Sequence, residues 1–291
     1  MTNKIFDSDF LRKIERLKLF VKRILPTVAE GNKVSKRVGS GIDFMNYRGY
    51  VQGDEIRYVD WNVYARSEGL FIREFAKEDA VPIYIILDNS PSMDFGAPSK
   101  FIFAKKLSAA LAYIGLVCLD KITICLGSND GFVSQGFRGE YSASQVFDML
   151  YSLEINRSIR LEEIVVRTRS IAKKGGAFFI ISDFWDSEMQ KDVKELTFNN
   201  SEVSLIHILS NEEVKPSTKG KIRLFDSEGS THIDRFVGEE ELIEYDRLLK
   251  GHIDNYKQFA MRYNMNYIFA PTDSAFEEVI MVYLREAFIL R

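Results

Sequence analysis

The chain is poor in the residues that most often carry chemistry. Of its 291 residues, two are cysteine and three are histidine. Cys118 and Cys125 both lie inside apolar runs, LVCLD and ITICLG, where a thiol reads as a small buried hydrophobe. Nothing in that pattern suggests a disulfide framework or a zinc site. His207 falls in a strand-like run, His232 in an expected hairpin and His252 on a long helical stretch; none belongs to a recognisable catalytic motif. Long apolar runs are missing too. The longest, AALAYIGLVCL at 109–119, has 11 residues, too short to span a bilayer and suited to a buried helix. The opening MTNKIFDSDFLRKIERLK has no apolar core of the secretory kind. A soluble, cytoplasmic protein is expected.

A strong excess of one charge is also absent. The net charge of −3 gives no overall attraction to nucleic acid. The distribution is uneven, since residues 1–40 carry +6 and the other 251 carry −9. A basic arm on an acidic body suits phosphate or an acidic membrane surface. A solvated helix face packed on its own acidic body explains it equally simply and is the preferred expectation.

What is present is a globular composition, 46% hydrophobic and 28% charged, with enough length for a sizeable core. Apolar positions over 8–27 follow helical spacing, with Pro26 as a stop. A polar link, EGNKVSKRVGSG, leads to residues 42–79, where aromatics and charges are mixed and short extended pieces with turns are expected. From residue 81 the pattern alternates. VPIYIILD, KITICLGS, GFVSQGF, GGAFFIISD, VSLIHILS and NYIFAP read as strands. SKFIFAKKLSAALAYIGLVCLD, capped by Ser99, and four further amphipathic segments read as helices. Asn129-Asp130-Gly131 marks a hairpin, and a second hairpin is expected near 221–236. This alternation predicts an α/β fold, a doubly wound and mostly parallel sheet, over residues 80–291, with residues 1–79 forming an N-terminal helix and an irregular β-containing segment.

The chemistry concentrates in YIILDNSPSM. Open α/β sheets bind ligands outside the carboxyl ends of their strands. Asp88 ends the first sheet strand and Asp183, in FIISDFWD, ends a later one, so two carboxylates are expected to converge. A nucleophile elbow would need glycines that do not flank these serines. A dehalogenase-like phosphatase would place a second acid where Ser90 stands. Carboxylates with hydroxyls are hard oxygen donors suited to Mg²⁺. Asp88, Ser90, Ser92 and Asp183 are therefore the candidate ligands, and simple turn capping is the plain alternative. The runner-up activity is a Mg²⁺-dependent phosphohydrolase using the same two aspartates. Lys100 or Lys105 would then bind phosphate, though both are expected to decorate the first sheet-packed helix.

Asp88-x-Ser90-x-Ser92, a long helix and Ser182-Asp183 together resemble a von Willebrand factor A domain with its metal-ion-dependent adhesion site. That resemblance implies Mg²⁺ (or Mn²⁺ or Ca²⁺) on the DxSxS loop and on the third-loop aspartate, which maps onto Asp183. The second-loop threonine has no direct match; INRSIRLEE lies in the corresponding place and offers Ser158. Upstream, Gly41, Asp43, Phe44, Tyr47, Arg48, Tyr50, Gly53, Asp54, Arg57, Asp60, Trp61, Ala65, Arg66, Leu70, Arg73 and Glu74 sit at fixed spacings that resemble the bacterial family called domain of unknown function 58. The resemblance covers about residues 10–290. It implies association with MoxR-type AAA+ ATPases, in an adaptor or chaperone-like role in the maturation of protein complexes, without catalysis by this chain alone.

The upstream segment has its own physical reading. Arg48, Arg57 and Arg66 alternate with Asp54, Asp60 and aromatics such as Trp61. Guanidiniums pair with carboxylates in forks and stack on rings, so the segment is either a structural ion-pair lattice or a partner-recognition surface. The balancing acids argue against nucleic acid.

Overall fold

The computed structural model describes residues 5–19, 38–67, 69–76, 82–118, 121–185, 189–225 and 232–288. The chain divides into two compact units, residues 1–18 with 81–291, and residues 19–80.

In the larger unit the chain opens with a helix, α1, over residues 8–19. The Asp7 carboxylate caps it by accepting the Phe10 amide at 2.8 Å. Phe10, Ile14 and Leu17 form its buried stripe, and Phe6, just ahead of it, is buried as well. The expected stretch beyond residue 19 lies outside the described residues.

The smaller unit pairs β1 (Val38–Gly49) antiparallel with β2 (Phe71–Ala76), with α2 (Trp61–Ser67) between them. Arg48 makes a two-pronged bond to Asp54, 3.0 Å on each arm, and the Val51 amide donates to the same carboxylate at 2.9 Å. This guanidinium and that amide hold Asp54 below the usual carboxylate range. Asp60 is buried and caps α2, accepting from the Asn62 amide at 2.9 Å and from the Tyr47 hydroxyl at 2.8 Å. Arg57 pairs with Glu55 and lies over the Tyr58 ring. Trp61 is exposed and meets Tyr64 edge-on, and Arg66 is exposed at the end of α2. Side chains at Asp43, Phe44, Arg73 and Glu74 lie outside the described ones.

The larger unit is built on a six-stranded sheet. In chain order its elements are β3 (Pro82–Leu87), α3 (Lys100–Val117), β4 (Lys121–Ser128), β5 (Gly131–Arg138), α4 (Ala143–Ser152), α5 (Leu161–Ile171), β6 (Ala177–Ser182), α6 (Gln190–Lys194), β7 (Glu202–Leu209) and α7 (Asn211–Val214). They continue with β8 (Gly220–Phe225), β9 (His232–Val237), α8 (Glu239–Arg262), β10 (Asn266–Pro271) and α9 (Phe276–Phe288). The spatial order of the sheet is β10-β7-β6-β3-β4-β5. Every pairing is parallel except β4 with β5, the hairpin formed around Asn129-Asp130. β8 and β9 form a separate antiparallel ribbon. The architecture is thus α/β with a mostly parallel sheet. Among the described residues no helix is long and apolar enough to cross a membrane.

Local chemistry explains the main elements. β3 and β6 are apolar on both faces because helices cover both. Ser99 caps α3, accepting the Ile102 amide at 3.3 Å. Gly115 lets α3 lie close on the sheet, since a Cβ there would sit 2.5 Å from Ile122 Cδ1 and 2.9 Å from Ile83 Cδ1. On the other face Tyr84, Ile86, Phe178 and Ile180 pack with Ile164 and Val165 of α5 and Tyr256 of α8.

The order of strands positions the site. From β3 the chain runs outward to β4 and β5; it then returns to the far side of β3 as β6 and proceeds to β7 and β10. The direction of winding reverses between β3 and β6, and such a switch point leaves a crevice at the strands' carboxyl ends. Gly176 leads into β6 at φ +152°, where an added Cβ would lie 2.2 Å from the Pro82 carbonyl oxygen at the start of β3. Replacing Gly176 with Ala should therefore force these two central strands apart. A loss of about 1–3 kcal/mol is expected, the usual cost of overpacking, and urea denaturation of the variant against wild type measures it.

Candidate functional site

Asp88 and Asp183 leave adjacent strands at the same edge. The register pairs Leu87 with Ile181, and the Asp88 amide donates to the Ile181 carbonyl at 3.0 Å, extending the ladder by one residue into the loop. The Ser182 hydroxyl then donates to Asp88 Oδ2 at 2.6 Å, and the Ser90 amide donates to Oδ1 at 2.9 Å. Both oxygens of a carboxylate that is 5% exposed are thereby oriented. Ser90 and Ser92 place their hydroxyl oxygens 3.0 Å apart. The structure thus brings Asp88, Ser90 and Ser92 together on one loop and sets Asp183 beside them.

Asp183 is presented by a tight turn. The Ser182 hydroxyl accepts the Phe184 amide at 3.0 Å, and Phe184 takes φ +53°, an unusual value for a bulky side chain. Its ring is buried, 5.1 Å from that of Tyr256 and 5.3 Å from that of His207. Aromatic packing behind the sheet therefore stabilises a strained backbone in front of it.

Lys100 departs from its expected place on the helix surface. It is 1% exposed and its ammonium bridges Asp183 Oδ2 at 2.8 Å and Glu213 Oε1 at 2.6 Å. The physical reason is its position as the first residue of α3, where the side chain turns down to the strand ends. Glu213 comes from α7, a short helix absent from the sequence-based expectation. There it completes a capping box: the Glu213 amide donates to Ser210 Oγ at 3.1 Å, and Oε2 accepts the Ser210 amide at 2.7 Å. The Trp185 indole also donates to Glu213 Oε1 at 3.3 Å and stacks on His252. The sequence SNEE at 210–213 carries the capping-box signal from which this turn could have been found. Lys105, the other lysine considered, is buried and donates to the Tyr151 and Leu153 carbonyls at the end of α4, and burial lowers its pKa.

The loop after α4 is tied to the DxSxS loop. Asn89 donates through Nδ2 to the carbonyls of Gly127 at 2.8 Å and Glu154 at 3.2 Å, and its own carbonyl accepts the Asn156 amide at 2.7 Å. Asn156 Oδ1 in turn accepts the Ser158 amide at 2.9 Å. Ser158 therefore lies on a loop anchored next to the first one. It is exposed, and among the described residues its hydroxyl makes no hydrogen bond to Asp88, Ser90 or Ser92.

Electrostatics sets the two aspartates against each other. Burial, and then the charge of Asp183, push Asp88 up to about 6, against the opposing pull of its hydrogen bonds. His207, buried behind the turn, is pushed down to about 3 by burial and so is neutral. Its Nδ1 lies 2.7 Å from the Tyr267 hydroxyl.

The fold and the crevice define a class: a doubly wound α/β protein with two carboxylates and two hydroxyls at the switch point of its sheet. Residues 46–241 match the family described as "Protein of unknown function DUF58", so the chain belongs to that family. Among curated proteins it is 29% identical over 112 residues to the uncharacterized protein Rv1480 of Mycobacterium tuberculosis, an alignment covering 38% of this chain and 35% of that protein. The chain thus spans about a third of the length of the curated relative it matches. Among solved structures, BatB from Bacteroides thetaiotaomicron is 14% identical with a TM-score of 0.44, over 72% of this chain and 98% of that one. The von Willebrand factor A domain of SpRpn10 is 10% identical with a TM-score of 0.40, over 69% and 94%.

The raised Asp88 has a direct consequence for stability. Its favourable contribution is complete below the unfolded value near 3.8 and is lost as pH rises through about 6. His207 acts with the opposite sign, losing stability as pH falls below its unfolded value, but it is common to wild type and an Asp88 variant. In chelator, Asp88→Asn should match wild type near pH 4 and exceed it by about 1–3 kcal/mol at pH 8. Denaturation curves across that range measure the difference, and parallel profiles would refute the buried-charge account.

Proposed function

We propose that this protein is an interaction module that docks a partner at the β3–β6 crevice through a divalent cation of the Mg²⁺ type. The observation that carries this reading is the donor set. For an octahedral ion with bonds of roughly 2.1 Å, neighbouring oxygens lie roughly 3.0 Å apart. Ser90 Oγ and Ser92 Oγ, hydrogen-bonded to each other at 3.0 Å, are already at a compatible spacing. Asp88 supplies a buried negative charge already oriented by Ser182 and Ser90. Asp183, with one oxygen committed to Lys100, is suited to bind directly or through water. Among the described residues no group of three or more His, Cys, Asp or Glu forms a metal cage, so hydroxyls are needed to complete this site. When bound, the ion supplies an electrophilic position open to a carboxylate of the partner.

The rim favours a protein as that partner. Phe95 is 50% exposed and Trp185 is 42% exposed; the first follows the DxSxS loop and the second follows Asp183. Exposed aromatics beside a polar centre suit a protein contact, where tryptophan commonly anchors. The phosphohydrolase reading is weakened because Lys100 and Lys105, its phosphate-binding candidates, are both buried and engaged. The family resemblance points to a MoxR-type AAA+ ATPase, with this chain as its adaptor in the assembly of protein complexes.

Binding of a purified MoxR-type ATPase from the same cell to the immobilised chain is the test. Binding should be strong with Mg²⁺ and at least about tenfold weaker in chelator or with Asp88→Ala. Equal binding in all three arms would overturn metal-bridged docking and direct attention to Trp61 and its neighbours.

A further inference from the structure

Lys100 is the unexpected member of the crevice. It is a buried ammonium beside the aspartate proposed to face a divalent cation. The ammonium is shared between Asp183 and Glu213, at 2.8 and 2.6 Å. Glu213 does not face Ser90 or Ser92 by any hydrogen bond; its carboxylate is occupied by Lys100, Trp185 and the Ser210 amide. The crevice therefore contains three carboxylates and one ammonium: Asp88, Asp183 and Lys100 are buried, and Glu213 is partly buried at its edge. At such short range and low local dielectric, a unit change in one of these charges acts strongly on a divalent ion next to Asp183.

We propose that Lys100 and Glu213 form a charge regulator for the crevice. Lys100 lowers its affinity for a divalent cation, and Glu213 raises it by drawing the ammonium away from Asp183. This inference rests on the metal reading above. Its functional sense follows from charge. With Asp183 partly neutralised by Lys100, Asp88 is the main anion offered to the ion. The bound ion then keeps a net positive charge and continues to attract a carboxylate from outside. A crevice with both aspartates free would hold the ion more tightly and neutralise it, leaving little attraction for an acidic partner. Lys100 is on this view a positioning and charge-setting residue whose effect is exerted through Asp183.

The proposal predicts opposite signs for two neighbouring substitutions, which a purely structural role would not. Mn²⁺ binding to the full chain, followed by electron paramagnetic resonance of the free ion, is the measurement. Lys100→Met should bind Mn²⁺ about tenfold more tightly than wild type, Glu213→Gln about tenfold more weakly, and the double variant close to wild type. Lys100→Met leaves buried Asp183 and partly buried Glu213 without their cation and is at risk of unfolding. Glu213→Gln, which keeps the cation, and the double variant, in which loss of the cation is matched by loss of one carboxylate, carry the test if it does, with circular dichroism confirming the fold. Weaker binding in Glu213→Gln together with recovery in the double variant supports the regulator. If both single variants weaken binding, if Glu213→Gln leaves it unchanged, or if the double variant is no better than Glu213→Gln, the regulator is overturned while the metal reading stands. If wild type itself binds no Mn²⁺, the metal reading falls and takes this inference with it.

Discussion

The site depends on one constraint: two strand ends that carry aspartates are held side by side in the sheet's interior. β3 and β6 are direct neighbours, so their last residues cannot separate without breaking a central ladder. The Ser182 hydroxyl joins them across the gap, and Lys100 supplies the cation that two such carboxylates require nearby. Like charges buried together are costly unless a proton, an ammonium or a metal compensates. The raised Asp88 and the buried Lys100 are two expressions of that one cost.

Support for the arrangement comes from behind and beside it. Phe184 is held in its strained conformation by Tyr256 and His207, which belong to α8 and β7. Asn89 is bonded to the end of β4 and to the loop after α4, so the DxSxS loop is braced from the opposite side. A site whose elements come from rigid strands and whose loops are tied to each other is preorganised; little ordering remains to oppose binding. The smaller unit follows the same economy by itself. Its Arg48–Asp54 fork and its Asp60 cap stabilise the fold of that segment, while Trp61 and Arg66 remain at its surface.

Much of this was legible in the residues. Apolar runs ending at Asp88 and Asp183, the Ser99 cap and the Asn129-Asp130-Gly131 turn are local signals, and each element formed where its signal lay. Lys100 was not legible, because nothing in SKFIFAKK distinguishes a lysine that turns under the first turn of a helix from one that faces water. Glu213 was hidden for a related reason. Its capping box marks a helix start, but a start says nothing about which distant lysine its carboxylate will meet. Ser158 shows the reverse case: a hydroxyl in the right loop, whose own bonds run through its backbone to Asn156 rather than to the candidate ligands.

By itself the sequence determined the class of fold, the edge of the sheet at which polar groups gather, and the DxSxS loop, since these follow from apolar periodicity and from residues within five positions of one another. Only the tertiary structure decided that β6 returns beside β3, that winding reverses between them, and that residues 88, 100, 183 and 213 meet. Strand order is set by packing summed over both faces of the sheet, and charge compensation in a buried crevice is set by whichever side chains that packing brings within reach.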